Sequence, residues 1–193
     1  MKIGVLALQG AFIEHIDVLK KLGVGVIPVR AESDLDQISG LIIPGGESTA
    51  IGKLLDDFKL KKKLQAKIEE GFPVWGTCAG MIILAKKIAN FDIAHIPMMD
   101  IEVERNAYGR QLGSFAVDQE ITGIKDGPFP MVFIRAPYIK QAGKDVSILA
   151  EVDGKIVAAR EKNILVTSFH PELTDDLRIH QYFINMVKER YDC

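Results

Sequence analysis

Hydrophobic and polar positions alternate between two periods along the chain. Ile3–Leu8 is a continuous apolar run that ends at Gln9-Gly10, which suits a strand buried on both faces, as in a parallel sheet. Phe12, Ile16 and Leu19 then recur at helical spacing, with Ala11, His15, Val18 and Leu22 beside them, and Gly23 is a natural stop. Val24–Val29 reads as strand, Ser33–Ile38 as a short helix and Leu41–Ile43 as a third strand ending at Pro44-Gly45-Gly46. Thr49–Leu55 and Leu60–Glu70 are helical, broken near Asp56-Asp57. Pro73–Gly76 is a short strand, and Met81–Ile88 has helical spacing. Strand and helix alternating in this way predict an α/β fold with a mainly parallel sheet.

The second half is β-rich. Ile101–Glu104, Ser114–Val117, Met131–Ile134, Ile148–Glu151, Ile156–Arg160 and Ile164–Phe169 are short β-like runs, and Asp153-Gly154 is a hairpin turn between two of them. These runs extend the sheet with antiparallel strands. Asp176–Tyr191 closes the chain as a helix, with Thr174 or Asp175 as its N-cap. No linker, repeat or low-complexity tract interrupts residues 1–193, so one domain is expected.

Composition narrows the function. The 193 residues are 48% hydrophobic and 26% charged, an ordinary globular balance. The net charge is −2, which argues against a nucleic-acid-binding protein. The opening apolar run lacks the length and cleavage site of a signal peptide and stops well short of the ~18 apolar residues of a membrane span. With only Cys78 and Cys193, a disulfide scaffold is excluded. The expectation is a cytoplasmic protein with no membrane partner.

Cys78 has a specific context. Gly76-Thr77-Cys78-Ala79-Gly80 lies between a predicted strand and a predicted helix, which is the cysteine form of the nucleophile elbow. So sharp a turn strains the nucleophile and crowds its neighbours, which favours glycine on both sides. It lifts the sulfur clear of the sheet edge, at a helix N-terminus that favours a thiolate. The Ala79 N–H is then placed to serve an oxyanion. Cys193 has no such context and reads as an exposed bystander.

A thiolate that attacks a carbonyl needs an imidazole to manage protons. Of the four histidines, His15 reads as a satisfied core or border residue of the first helix. His95 lies in a loop beside Pro97, and His180 reads as a surface residue of the last helix. His170 stands in Ser168-Phe169-His170-Pro171-Glu172, just past an apolar strand. In an extended segment His170 and Glu172 share one side, so Glu172 can fix the imidazole tautomer. The same pair also fits a surface polar pair or part of a metal site, though no further Cys or His lies near it in sequence.

Pro44-Gly45-Gly46-Glu47-Ser48-Thr49 follows a buried strand and precedes a helix. It matches neither the P-loop nor the dinucleotide-binding pattern. By itself it reads as a tight turn capped by Ser48 or Thr49. Opposite an elbow it becomes a candidate oxyanion hole.

Together these segments resemble the class I (Cys-His-Glu triad) glutamine amidotransferases, and within them the glutaminase subunits of pyridoxal 5'-phosphate synthase. The blocks that carry the resemblance are Leu8-Gln9-Gly10, Pro44–Thr49, Gly76–Gly80, Val103–Gln111, Phe133-Ile134-Arg135-Ala136-Pro137 and Ser168–Thr174. The elbow and His-Pro-Glu are common to many amidotransferases. The Glu-Ser-Thr after the double glycine and the Arg105 and Arg135 blocks point to this subgroup.

The resemblance implies a three-layer sandwich around a mixed sheet, with Cys78 as nucleophile, His170 as base and Glu172 as its orienter. It implies that Gly46, Glu47, Ser48, Arg105, Ile134 and Arg135 contact L-glutamine. A free amino acid offers a carboxylate and an ammonium, which Arg105 with Arg135 and Glu47 would meet. Read alone, each arginine is a surface ion pair. Gly46 and Ala79 would form the oxyanion hole, with Gln9 and Gly45 supporting it in a peptide that flips when a synthase subunit docks. Both glycines tolerate φ > 0, as a flip requires. The implied activity is glutaminase, with ammonia passed to that synthase for pyridoxal phosphate (vitamin B6) synthesis, and with no cofactor or metal. Two alternatives stand beside it: the glutaminase of another pathway, such as histidine biosynthesis, and a non-catalytic stress or chaperone-like module.

Overall fold

The computed structural model describes residues 1–105 and 113–191. Asn106–Gln111 of the Arg105 block, and Cys193, lie outside the described residues.

The first half runs β1 (Lys2–Leu6), α1 (Phe12–Lys21), β2 (Gly25–Val29), a 3₁₀ turn at Glu32–Asp36, β3 (Gly40–Ile43), α2 (Ser48–Asp57), α3 (Leu60–Glu69), β4 (Val74–Thr77) and α4 (Ala79–Leu84). The second half adds β5 (Ala85–Ile88), β6 (Met99–Glu104), β7 (Ser114–Gln119), β8 (Phe129–Ile134), β9 (Tyr138–Ala142), β10 (Ser147–Val152), β11 (Lys155–Glu161) and β12 (Ile164–Thr167). A 3₁₀ turn at Pro171–Leu173 and α5 (Arg178–Tyr191) complete it.

Among the described residues ten strands form one sheet in the order β2-β1-β3-β4-β12-β11-β9-β6-β5, with β10 paired to β11. β2, β1, β3, β4 and β12 are mutually parallel, and antiparallel pairing begins at β11. The side-chain period of two sorts each strand between two cores. Leu6, Leu41 and Ile43 face α2, α3 and α4, where Ile51, Leu64 and Ile83 meet them. Ile3, Val5 and Ile42 face α1, α5 and the β7–β8 hairpin, through Leu19, Phe183, Phe129 and Phe133. Burying side chains of this size is worth ~1.5–3 kcal/mol each. The result is the expected three-layer α/β sandwich. No described helix is long and apolar enough to cross a membrane.

Two local expectations differ from what forms, and one strand is not among those expected. Met81–Ile88 is not one helix: α4 ends at Leu84, and Ala85–Ile88 pairs with β6 as the sheet's edge strand. Met81, Leu84, Ala85 and Ile88 fit helical spacing, but Lys86 and Lys87 turn to solvent and the pairing to β6 decides. Tyr138–Ala142 forms β9 between β11 and β6, although its exposed Lys140 and Gln141 conceal the pattern. The last helix starts at Arg178, with Asp176 Oδ1 accepting from the Arg178 N–H at 3.0 Å, so Asp176 takes the capping role expected of Thr174 or Asp175.

Candidate functional site

The carboxyl ends of β1, β3, β4 and β12 share one rim of the sheet, where ligands of open α/β sheets bind. β1 leads to Gln9-Gly10, β3 to Gly45-Gly46, β4 to Cys78 and β12 to His170.

Cys78 has φ 49° and ψ −102°, a strained conformation for a residue with a side chain. Its N–H donates to the Thr167 carbonyl at 2.8 Å, and its own carbonyl accepts from Met81 at 3.1 Å. The flanking glycines are required by space. A Cβ on Gly76 would lie 2.4 Å from the Gly80 backbone, and one on Gly80 would lie 2.2 Å from the Ile43 carbonyl oxygen. Ala79 opens α4, where the first N–H groups have no acceptor within the helix.

His170 is 8% exposed and its N–H donates to the Val132 carbonyl, which fixes the segment against β8. Its Nδ1 lies 2.7 Å from Glu172 Oε1. Burial works against the imidazolium. The neighbouring Cys78 sulfur and the hydrogen-bonded Glu172 carboxylate outweigh that and raise His170 to about 10. Burial also disfavours the Glu172 charge, yet the imidazoles of His15 and His170 hold this carboxyl below its ordinary range. Sulfur, imidazole and carboxylate thus stand in a row, with Cys78 and His170 on one cavity and Glu172 hydrogen-bonded behind His170.

Glu47 is the N-cap of α2: its two oxygens accept from Thr49 N at 3.0 Å and Ala50 N at 2.7 Å. Burial pulls its pKa up, but these backbone N–H groups, helped by Arg105, bring it below the ordinary value. Arg105 Nη2 lies 3.6 Å from Glu47 Oε1, and its guanidinium stacks 5.3 Å from the Phe91 ring centre. Arg135 has φ 44° and donates its N–H to the Gly113 carbonyl at 2.7 Å, a turn that ends β8 and leaves Ile134 38% exposed. That exposure of an isoleucine is intelligible because Ile134 lines a cavity.

The cavity holds ≈ 520 Å³. Cys78 and His170 line it, as do Gln9, Gly45, Gly46, Glu47, Ser48, Ala79, Arg105, Ile134 and Arg135. Every residue singled out in the sequence is therefore at this site except Glu172, which stands behind His170.

The double glycine is also required by space. Neither Gly45 nor Gly46 has a positive φ here. A Cβ on Gly45 would meet His170 Cε1 at 2.5 Å, and one on Gly46 would meet the Gln9 amide oxygen at 2.4 Å. The Gly45 carbonyl accepts from Ala11 N at 3.0 Å, and Gln9 Oε1 accepts from Glu47 N at 2.8 Å.

The model of the SNO glutamine amidotransferase family matches residues 5–189. The chain belongs to that family. It is 58% identical over 187 residues to the pyridoxal 5'-phosphate synthase subunit PdxT of Carboxydothermus hydrogenoformans, covering 97% of this chain and 98% of that protein. It is 57% identical over 194 residues to the protein of the same name from Streptococcus pneumoniae strain CGSP14, covering 98% and 99%. The crystal structure of a glutamine amidotransferase superposes with a TM-score of 0.92 at 44% identity, over 96% of this chain and 98% of that one. The PurLQS structure from Thermotoga maritima, at 16% identity and a TM-score of 0.71 over 97% of this chain and 99% of that one, shares the fold.

Membership in the family does not account for every polar group near the row. His15, read from sequence as a core or border residue, and His180, read as a surface residue, are both fully buried. His180 is a correction: α5 lays it against Trp75, ring centres 4.8 Å apart, and its Nε2 is 2.9 Å from His15 Nδ1. One residue on a mixed helix gives no sign of which neighbour will cover it. His95 is 7% exposed and packs on Gly52, where an added Cβ would collide with its ring. Among the described residues no three His, Cys, Asp or Glu side chains gather as they would around a metal ion.

Proposed function

We propose that this chain is the glutaminase subunit of a pyridoxal 5'-phosphate synthase, one domain over residues 1–193, with Cys78, His170 and Glu172 as its catalytic triad. The observation that carries the reading is that a strained elbow cysteine and His170 line one cavity, with Glu172 hydrogen-bonded behind His170. Membership of the amidotransferase family and 57–58% identity to pyridoxal 5'-phosphate synthase subunits support it.

L-Glutamine enters with its α-carboxylate toward Arg105 and the Arg135 turn and its ammonium toward Glu47, while Gly46, Ser48 and Ile134 shape the rest of the site. His170 already holds the proton at neutral pH, and the Cys78 sulfur attacks the side-chain amide carbon. Ala79 N–H and the Gly45–Gly46 peptide, backed by Gln9, face the oxygen that gains charge, a contribution of ~3 kcal/mol per donor. The C–N bond breaks as His170 protonates the leaving nitrogen, and ammonia departs. Water then attacks the glutamyl thioester, His170 takes its proton, the C–S bond breaks and the thiolate is restored. Glutamate leaves, and the ammonia goes to the synthase subunit. The protein works in the cytoplasm, where its free Cys78 stays reduced. The histidine-pathway and non-catalytic alternatives have no observation in their favour.

The test is glutamate release from L-glutamine by the chain alone, with the synthase subunit, and with that subunit plus Cys78→Ala. Release that needs the partner and vanishes in the variant is expected. No release in any mixture in which the complex forms would overturn the reading.

A further inference from the structure

Behind the row lies a second set of buried polar groups that the mechanism above leaves unused. His15 on α1 is fully buried. Its Nδ1 is 2.9 Å from His180 Nε2, and its Nε2 is 3.2 Å from Thr77 Oγ1 and 3.4 Å from Glu172 Oε2. Glu172 Oε2 and His180 Nδ1 are buried and have no hydrogen-bond partner among the described residues. Trp75 walls the group in, its ring edge-on to both imidazoles at 5.6 and 4.8 Å and its own N–H donated to Thr167 Oγ1 at 3.1 Å.

The proton positions follow from what each atom can do. An ionised carboxylate only accepts. With Oε1 on His170, the buried Oε2 needs a donor, and His15 Nε2 is the nitrogen that faces it. A bare Nε2 there would set lone pair against lone pair in a dry site. Nε2 therefore carries the proton, shared toward Thr77. Nδ1 is then bare and accepts from His180 Nε2–H, and the orphaned His180 Nδ1 is a lone pair rather than a stranded proton. The groups facing His15 agree with an uncharged ring. Burial pushes it below its ordinary pKa, Glu172 opposes this, His170 reinforces it, and Glu14 adds a smaller opposing pull. Burial and His15 itself push His180 well down.

We propose that His15 is a positioning residue for the triad: protonated on Nε2 alone, it steers Glu172 Oε2 so that Oε1 stays on His170, while His180 holds that tautomer from behind. The inference rests on the glutaminase reading. A carboxylate held at one oxygen can rock about its own axis; held at both, it keeps His170 aimed as the imidazole gives its proton to the leaving nitrogen and takes one from water.

The test compares wild type, His15→Leu and His15→Gln in the complex with the synthase subunit, reading kcat and KM for glutamine against pH. His15→Leu should lower kcat about tenfold and leave KM within about twofold. It should also move the acid limb up by roughly half a pH unit, because Glu172 loses a donor that favours its charge. His15→Gln, whose amide N–H can reach toward Oε2, should restore most of kcat and return the limb. An unchanged His15→Leu, or equal losses in both variants, overturns the proposal. An inactive wild type would instead overturn the glutaminase reading. A second measurement is independent of turnover and of whether the variants fold: ¹⁵N imidazole shifts of His15 in the unmodified chain. An Nε2–H neutral ring between about pH 6 and 8 is expected. An Nδ1–H or charged ring overturns the proposal.

Discussion

Thr77 and Thr167 stand opposite each other at the carboxyl ends of adjacent parallel strands, β4 and β12. That pairing puts Cys78 and the His170 segment at the same rim. The Cys78 N–H continues the ladder onto the Thr167 carbonyl, so the nucleophile's backbone is tied to the strand that delivers its base.

The strain at Cys78 makes function and stability oppose each other. Cys78→Gly relieves φ 49° and should stabilise the fold by ~1 kcal/mol relative to Cys78→Ala, which keeps the strain. Both variants should lose glutaminase activity. Calorimetric melting of the two in parallel checks this, and equal melting temperatures would refute it.

Gly45→Ala places a methyl 2.5 Å from His170 Cε1 and 3.4 Å from Cys78 Cβ. The imidazole must move away from the sulfur or the loop must back off. A displacement of this size should lower kcat about a hundredfold, with melting reduced by far less than a global loss of fold. Near-wild-type turnover would show that His170 has slack.

Arg105→Met keeps the stem over Phe91 and removes the charge beside Glu47. If Arg105 meets the glutamine carboxylate, KM should rise about thirtyfold with kcat little changed, the loss of a charge-assisted hydrogen bond of about 2 kcal/mol. A fall in kcat at constant KM would assign it a different role.

The raised pKa of His170 has a defined pH signature. A group that holds its proton more tightly folded than unfolded stabilises the fold fully below its unfolded pKa, and that contribution is lost as pH rises through the folded value. For His170 the window runs from 6.5 to about 10. The stability difference between wild type and His170→Gln should therefore be constant below the window and shrink across it. Glu172 behaves oppositely: its pKa is lowered from 4.5, so its contribution is present above that value and is lost as pH falls through the folded one. Urea titrations at several pH values check both, and a pH-independent difference for His170 would contradict the ion-pair account.

Much of this protein is written locally. The apolar runs of β1, β3 and β12 have nothing polar to expose, and so could only be interior strands. Gly76 and Gly80 announce an elbow because only a residue without a side chain fits where strand, nucleophile and helix crowd together. His170 and Glu172 are expected to meet along an extended segment; they do hydrogen-bond, but through the 3₁₀ turn at Pro171–Leu173. Other features needed the whole chain. Ala85–Ile88 has helical spacing, yet becomes a strand because β6 offers it backbone partners. Gly45 and Gly46 read as a source of backbone freedom, and only the fold shows the room they also leave to His170 and Gln9. His15 and His180 sit on helices 165 residues apart, and only the packing of both onto one face of the sheet makes them neighbours behind Glu172. Periodicity records which side of an element is buried; which partner waits there is decided by the long-range contacts that bury it.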